Sequence, residues 1–414
     1  MNLPLLIARR MAHTSSEQKP GVMERIALFS VGLSVVVMLL SLAVMMGFKQ
    51  EVSRKMTGLA AHVTLTDIRG IEGLDSRPMR RSDYLDSLIR HTEGFHSMAP
   101  YALKGGIIRT AEAVEGVLLK GVDATYDWSF YEEWLLEGEL PRIGDTLRTK
   151  DLLLSEQLAQ RLQLEVGSRI EMLFVESGQM PRRDRFKVSG IYASGMDEMD
   201  AGLLLTDLRN VQRLSDWSDD EVTGYEIFTA DLHQADTYAR MLDHTLLYDP
   251  TEQTNNLVVT SITERYSNIF DWLKAHDVNA AVVLVIMLVV AFFNMASVLL
   301  VLVLERTRTI GLLKALGMPN RDLRKIFLYR AGFIALKGLA WGNLIGLGLA
   351  LLQQHFAILK LDAEGYLLSS VPISLNWEWI LLLNIGFLAT IIALLIIPTY
   401  IISSVKPDES IRYE

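Results

Sequence analysis

The fold class this sequence predicts is an α+β membrane protein, with four transmembrane helices and a large α+β extracytoplasmic domain inserted between the first and the second. Three observations predict it. Half of the 414 residues are apolar while 21% are charged, a mixture that requires the two kinds to be segregated along the chain. Four runs, 26–48, 278–304, 331–353 and 378–404, are long and apolar enough to cross a bilayer. The stretch between the first two runs is acidic, with 25 Lys and Arg against 39 Asp and Glu over 49–277, whereas the short segments 1–25 and 305–330 are basic. That asymmetry keeps the short segments cytoplasmic.

Residues 1–25 carry Arg9, Arg10, Lys19 and Arg25 against Glu17 and Glu24, and stay on the cytoplasmic side. MNLPLLIARRMA reads either as an amphipathic interface helix or as a frayed terminus. The run 26–48 would be about 34 Å long as a helix, and it exceeds the roughly 7–15 apolar residues of a cleaved signal peptide. Its outer end carries Met45 and Phe48, which suit either an acyl chain or bulk lipid.

Residues 49–277 alternate strands and helices. HVTLTD (62–67) has strand periodicity, SDYLDSLIRH (82–91) helical spacing, and AVEGVLLKGVD (113–123) is a strand ending in a glycine turn. SEQLAQRLQL (155–164) is a helix capped by Ser155, followed by the strands SRIEMLFV (168–175) and DRFKVSGIYA (184–193). TDLRNVQRL (206–214) begins a helix at Thr206, and 221–242 reads as strand then helix. From Val258 the chain runs by way of Trp272 and Lys274 into the second span.

In the span 278–304, Asn294 is expected to bond across helices rather than to act in transport. The basic segment 305–330 follows, ERTRTIGLLKALGMPNRDLRKIF and beyond. Ile310, Leu313, Leu316 and Gly317 recur at three- and four-residue steps, so they share one side of a short helix. Gly317 and Pro319 stop that helix, and Asn320 can cap the next. An ordinary positive-inside loop has the same charge pattern. The span 331–353 has Gly338, Gly342 and Gly346 at four-residue spacing, a stripe that lets another helix approach closely. Lys337 lies about 10 Å inside this span by helical rise; it either snorkels to the surface or pairs with a lipid phosphate or partner helix. A short outer loop, 354–377, leads to the last span, 378–404, anchored by Trp377 and Trp379, and to a cytoplasmic tail, 405–414.

These motifs resemble the permease subunit of lipoprotein-releasing ABC transporters, within the broader group of macrolide-exporter and cell-division type permeases. The pattern R-x-x-x-I-G-L-L-K-A-L-G of the basic segment, the I-A-R-R of Ile7 to Arg10 and the terminal Pro398, Pro407, Glu409, Ile411 and Arg412 are similar to that family. So is the ordered series GVLLKGVD (116–123), Leu135–Gly138, 152–167, FKVSGIY (186–192) and 196–208. The resemblance implies that Arg306, Ile310, Gly311, Leu313, Lys314, Leu316 and Gly317 dock on a separate cytoplasmic ATPase, present in two copies, which binds the ATP and magnesium; this chain needs no cofactor of its own. It also implies a bacterial inner-membrane protein with both termini cytoplasmic, paired with a second permease (the same chain or a relative). Its substrate would be a lipoprotein handed to a periplasmic carrier.

The family's carrier-receiving loop falls at 176–185. Met180, Pro181, Arg182 and Arg183 can offer an adaptable apolar contact and carboxylate-binding cations, although a plain hairpin turn fits those residues as well.

Other chemistry is sparse. The chain has no cysteine, hence no disulfide or thiolate site. It has neither G-x-x-x-x-G-K-[S/T] nor H-E-x-x-H. His91 and His96 lack a further ligand, and the acidic runs 132–139 and 219–221 read as solvated faces. An acidic chain whose basic excess is confined to the segments 1–25 and 305–330 does not suit nucleic acid. The expectation is a non-catalytic permease for lipoprotein release. A permease that signals to a cell-wall hydrolase, or one that exports peptides or drugs, is the alternative.

Overall fold

A computed structural model describes residues 22–70, 77–110, 113–144, 148–175, 180–196, 201–249, 251, 254–361, 368 and 370–400. Ile7 to Arg10, the tail from 401 onward and residues 176–179 and 197–200, all used in the sequence analysis, lie outside the described residues.

In chain order the elements are α1 (Val22–Leu59), β1 (Val63–Asp67), β2 (Met79–Arg80), α2 (Asp83–His91), β3 (Phe95–Arg109), β4 (Val114–Val122), α3 (Ser129–Trp134) and β5 (Leu135–Gly138). Next come β6 (Asp151–Ser155), α4 (Glu156–Leu162), β7 (Arg169–Phe174), β8 (Arg182–Tyr192), β9 (Leu203–Asp207), α5 (Leu208–Leu214), β10 (Glu221–Val222) and β11 (Gly224–Thr229). They end with α6 (Ala235–Leu247), β12 (Leu257–Ser261), α7 (Ile262–Arg265), α8 (Ser267–Glu305), α9 (Thr307–Ala315), α10 (Asn320–Phe356) and α11 (Trp377–Thr399). These residues form two compact units, one of Glu51–Trp272 with Leu361–Ser369 and one of the remaining helices.

The first unit is built on a ten-stranded sheet in the order β12-β1-β11-β3-β4-β9-β6-β8-β5, with β7 pairing β3 and β8 off that path. Among the described residues, only β4 with β9 and β6 with β8 run parallel. Helices α2, α5 and α6 pack against it, burying Ile108, Leu119, Leu154, Phe174, Val211 and Leu242. Local chemistry sets their starts: Ser82 Oγ accepts from Leu85 N at 3.2 Å and Ser155 Oγ from Leu158 N at 3.3 Å, which satisfies helix-end donors. Helix α5 begins two residues later than expected, because Thr206 and Asp207 belong to β9, in register with Gly121 and Val122 of β4. Asp207 is the true cap, accepting from Arg209 N at 2.9 Å.

The longest strand, β3, has no counterpart in the sequence expectations. Pro100, Gly105 and Gly106 break its pattern, and such residues argue against a central strand. Pro100 is tolerated because pairing with β4 begins only at Tyr101. A Lys120–Glu226 ion pair, 2.7 Å and buried on both sides, joins β4 to β11.

The second unit contains four helices long and apolar enough to cross a membrane. Three of them outrun the apolar runs: 26–48 sits inside α1, 278–304 inside α8, and 331–353 inside α10, because helix-compatible residues continue past the first charge. The segment 305–330 divides at Gly317 to Pro319, and one expectation is corrected there: Asn320 does not cap the next helix but is the first residue of α10, with Pro319 in the cap position and no side-chain cap bond. Arg321 to Arg330 form the opening turns of α10, continuous with the span, while α9 stands apart.

The glycine stripe of α10 packs on α1. A Cβ at Gly342 would lie 2.7 Å from Val35 Cβ and 2.8 Å from Gly32 O, and one at Gly338 2.7 Å from Val31 Cγ1. Asn294 of α8 bonds Ser30 of α1. Asn343 and Asn384 exchange amide hydrogen bonds of 2.7 and 3.1 Å between α10 and α11, a pair that nothing in the sequence marked. Arg330 of α10 faces Glu24 of α1 at 3.6 Å.

Gly342→Leu is expected to cost about 1–3 kcal/mol, the usual range for overpacking, and to lower the melting temperature of the detergent-solubilised protein. Gly348→Leu, whose Cβ would meet nothing within 4 Å, should leave it unchanged. In the soluble unit, Lys120→Met alone should destabilise by about 3–5 kcal/mol by stranding a buried carboxylate, whereas the double variant with Glu226→Leu should recover most of the loss; chemical denaturation of both variants checks this.

Candidate functional site

The helix α9 is positioned by two breaks. Arg306 leaves helical geometry at φ −111°, ψ 17°, with Thr307 Oγ1 donating back to the carbonyl of Leu304 at 2.7 Å. At the other end Gly317 takes φ +88°; its N–H bonds Lys314 O at 2.9 Å and that of Met318 bonds Leu313 O at 3.0 Å. Those two bonds are the Schellman closure, which a side chain at the left-handed position would strain.

Between the breaks the helix divides into an inner and an outer face. Ile310 and Gly311 are buried, and Ile310 joins Leu302, Val303, Leu323, Ile326 and Phe327 in one apolar cluster, with Leu313 and Met318 packed against it. Arg306, Leu316 and Gly317 are exposed, and Lys314 is half-buried. The seven residues assigned to ATPase docking therefore do not share one surface. Ile310 and Gly311 hold the helix down, while the outward stripe is Arg308, Leu312 and Leu316 at four-residue spacing. Leu312 is 58% and Leu316 76% exposed. Helical spacing identified an apolar face but could not say that a second one, through Leu312, looks outward.

At the far end of α1, Phe48 is only 7% exposed and its ring stacks on His276 with centroids 5.6 Å apart. It is a packing residue, not an open acyl-chain contact, and Met45 is half-buried. Gly47 lies against the outer loop, where an added Cβ would meet Pro372 O at 2.6 Å. Gln353 ties that loop to α10 through bonds to Leu359 and Val371. Lys337 is exposed on α10, beside the glycine seam and not in it.

The 180–183 segment leads into β8, which starts at Arg182 and pairs with β7 in register Phe174↔Arg182. Met180 is 90% exposed. The arginines are engaged within the chain: Arg182 donates to Asp216 at 2.8 Å and to Leu214 O at 3.3 Å, and holds the Asp216 carboxyl below the usual carboxylate range. Arg183 and Arg185 both reach Glu171 at 3.3 Å. Met180 and Pro181 are the parts of this segment that face outward uncommitted to an ion pair.

Residues 26–245 match the family described as MacB-like periplasmic core domain, and residues 281–407 that described as FtsX-like permease C-terminal. The chain belongs to the MacB/FtsX permease family. Its α+β unit is the periplasmic core domain of that family, and its helices are those of an ABC transporter permease. This permease is 23% identical to a lipoprotein-releasing system transmembrane protein LolC of Xylella fastidiosa, across 99% of both chains. It is 22% identical to LolE, of the same system, from Haemophilus influenzae, across 94% of both. Among solved structures, the periplasmic region of MacB from Actinobacillus actinomycetemcomitans is 13% identical with a TM-score of 0.32, covering 52% of this chain and 95% of that one.

Replacing Leu312 and Leu316 together by Glu should abolish co-purification of this permease with an ATPase subunit and leave its melting temperature within about 1 °C, as expected for surface positions. Ile310→Asp should instead lower the melting temperature, by burying a charge.

Proposed function

We propose that this permease is the transmembrane subunit of an ABC transporter that takes lipoproteins from the outer leaflet of the bacterial inner membrane and passes them to a soluble periplasmic carrier. The observation that carries the reading is similarity to LolC over 99% of both chains, so that it spans the outer domain as well as the helices. The outer domain alone is shared more widely, since residues 26–245 match a MacB-like periplasmic core domain, so it is the full-length similarity to LolC that favours lipoprotein release over signalling or drug export.

In this reading both termini are cytoplasmic, a second permease (the same chain or a relative) stands opposite, and two ATPase subunits bind the Arg308, Leu312 and Leu316 surface. Hydrolysis of ATP with magnesium belongs to those subunits, and this chain contributes no catalytic group. ATPase closure moves α9, and α9 moves α10 through Ile310, Leu323 and Phe327. The exposed apolar side chains of α8, such as Val285, Ile286 and Phe293, face the lipid or the acyl chains of the cargo. The carrier meets the start of β8 through the exposed Met180 and Pro181, an apolar pair suited to a partner that itself binds acyl chains.

A photocrosslinking residue at Met180, irradiated in cells, is expected to capture a small soluble carrier. Capture of a wall hydrolase would overturn the proposal in favour of signalling. Arg182→Glu with Arg183→Glu should weaken capture only as far as it loosens β8, through the lost pairs to Asp216 and Glu171, and limited proteolysis will read that loosening directly.

A further inference from the structure

The periplasmic core domain contains a cavity of about 810 Å³, within the range of sites that enclose most of a small ligand. It opens on one face of the large sheet. Side chains alternate along a strand; Val117 and Leu119 of β4 belong to the buried core, and a Cβ at Gly121 would meet Leu208 of α5. Gly116, Leu118 and Lys120 therefore point the other way, into the cavity that they line. On β3 the same face presents Tyr101, Leu103, Gly105 and Ile107.

The lining is sorted along its length. At one end Glu226 and Lys120 form their buried pair, Tyr101 lies 6.0 Å from Lys120 Nζ, and Arg265 donates to Thr64 Oγ1 at 3.3 Å. From Tyr101 to Ile107 the strand advances about 20 Å. At that far end Ile107 pairs with Gly116 and Leu173, and Leu118 with Leu203, all apolar. The ion pair is neutral in itself, so Arg265 leaves the polar end net positive. A ligand matched to this cavity has a long apolar body and a head rich in carbonyl or anionic acceptors.

Gly116 adds a separate observation. A glycine within a strand costs about 0.5–1 kcal/mol and often marks close approach by another group. Among the described residues no such group explains it, since a Cβ at Gly116 would meet nothing within 4 Å. The missing side chain keeps the apolar end of the cavity open.

Leu59, the last residue of α1, and Tyr266, the residue before α8, also line the cavity.

We propose that this cavity holds one acyl chain of the lipoprotein cargo, apolar tail along Gly105, Ile107, Gly116 and Leu118, and ester or amide carbonyls toward Arg265. The proposal rests on the lipoprotein-release reading and adds a holding site in the outer domain to it. It is tested in cells fed an alkyne-tagged fatty acid, with a photocrosslinking residue at Leu118 of the full chain. The expected result is a tagged adduct with a protein-sized mass shift, absent when the crosslinker stands at exposed Leu247 on α6. Gly116→Phe should reduce the adduct at least tenfold by filling the open end, while Gly116→Ala should retain it. Equal membrane levels and equal recovery of the ATPase would show that the Phe variant folds.

No tagged adduct, a tagged adduct of lipid size only, an untagged adduct with a second permease, or labelling unaffected by Gly116→Phe would each overturn the proposal. A parallel assay follows release of tagged lipoproteins from spheroplasts with and without this chain. If release requires the chain but Leu118 captures no cargo, the holding site falls and the transport reading stands; if release is indifferent to the chain, the transport reading itself falls.

Discussion

A bilayer interior offers no water to a polar backbone and little hydrophobic force between helices, so its helices must be held by close packing and a few internal polar bonds. In this permease the packing is concentrated where α10 meets α1. Gly338 and Gly342 bring the backbone of α10 against Val31, Val35 and the carbonyl of Gly32, a distance no larger residue permits. The polar bonds are few and placed between helix pairs: Asn294 with Ser30, and Asn343 with Asn384. Between them these contacts link α1 to α8, α1 to α10 and α10 to α11. The remaining packing of the membrane unit follows from that frame, including the cluster that seats α9.

The soluble unit answers a different constraint. Its sheet is covered by helices on one face, so ordinary burial of Leu119, Leu154 and Phe174 suffices for stability there. The open face needs no such covering where it is polar, and the Lys120–Glu226 pair supplies polarity without net charge. Burying two ions is a weak source of stability, and its value here is better sought in shaping the cavity that both residues line. Tyr101 beside it is pushed up to about 12 by burial, so it stays neutral, a hydrogen-bonding and not a charged wall.

Much of this architecture was legible in the sequence, and the exceptions have physical causes. Uncharged runs reveal spans because hydropathy is a property of the residues alone, and Gly317 with Pro319 revealed the end of α9 because φ and the missing N–H are local. Ser155 revealed its helix for the same reason. What depends on a distant partner was hidden. Arg182 and Arg183 looked like cations available to a partner until Asp216 and Glu171 were seen beside them. Phe48 looked accessible until His276 covered it. Asn343 and Asn384 lie 41 residues apart, and neither is unusual by itself. β3 was missed because Pro100 and its two glycines weaken every local strand signal, and its identity comes from three neighbouring strands.

The seating of α9 also bears on how motion crosses the membrane unit. The helix is bounded by Arg306 on one side and by Gly317 to Pro319 on the other, so it can tilt without unwinding its neighbours. Its inner face, led by Ile310, is packed on Leu323, Ile326 and Phe327, and these are not loop residues but the first turns of α10. From there to Phe356 the helix has no break, and within it lie Gly338, Gly342 and Gly346. Tightly packed interfaces shift between discrete arrangements more readily than they deform. A displacement applied at Leu312 and Leu316 therefore passes as a rigid movement of α10 to the glycine seam, where the backbone contact leaves α1 no slack to absorb it.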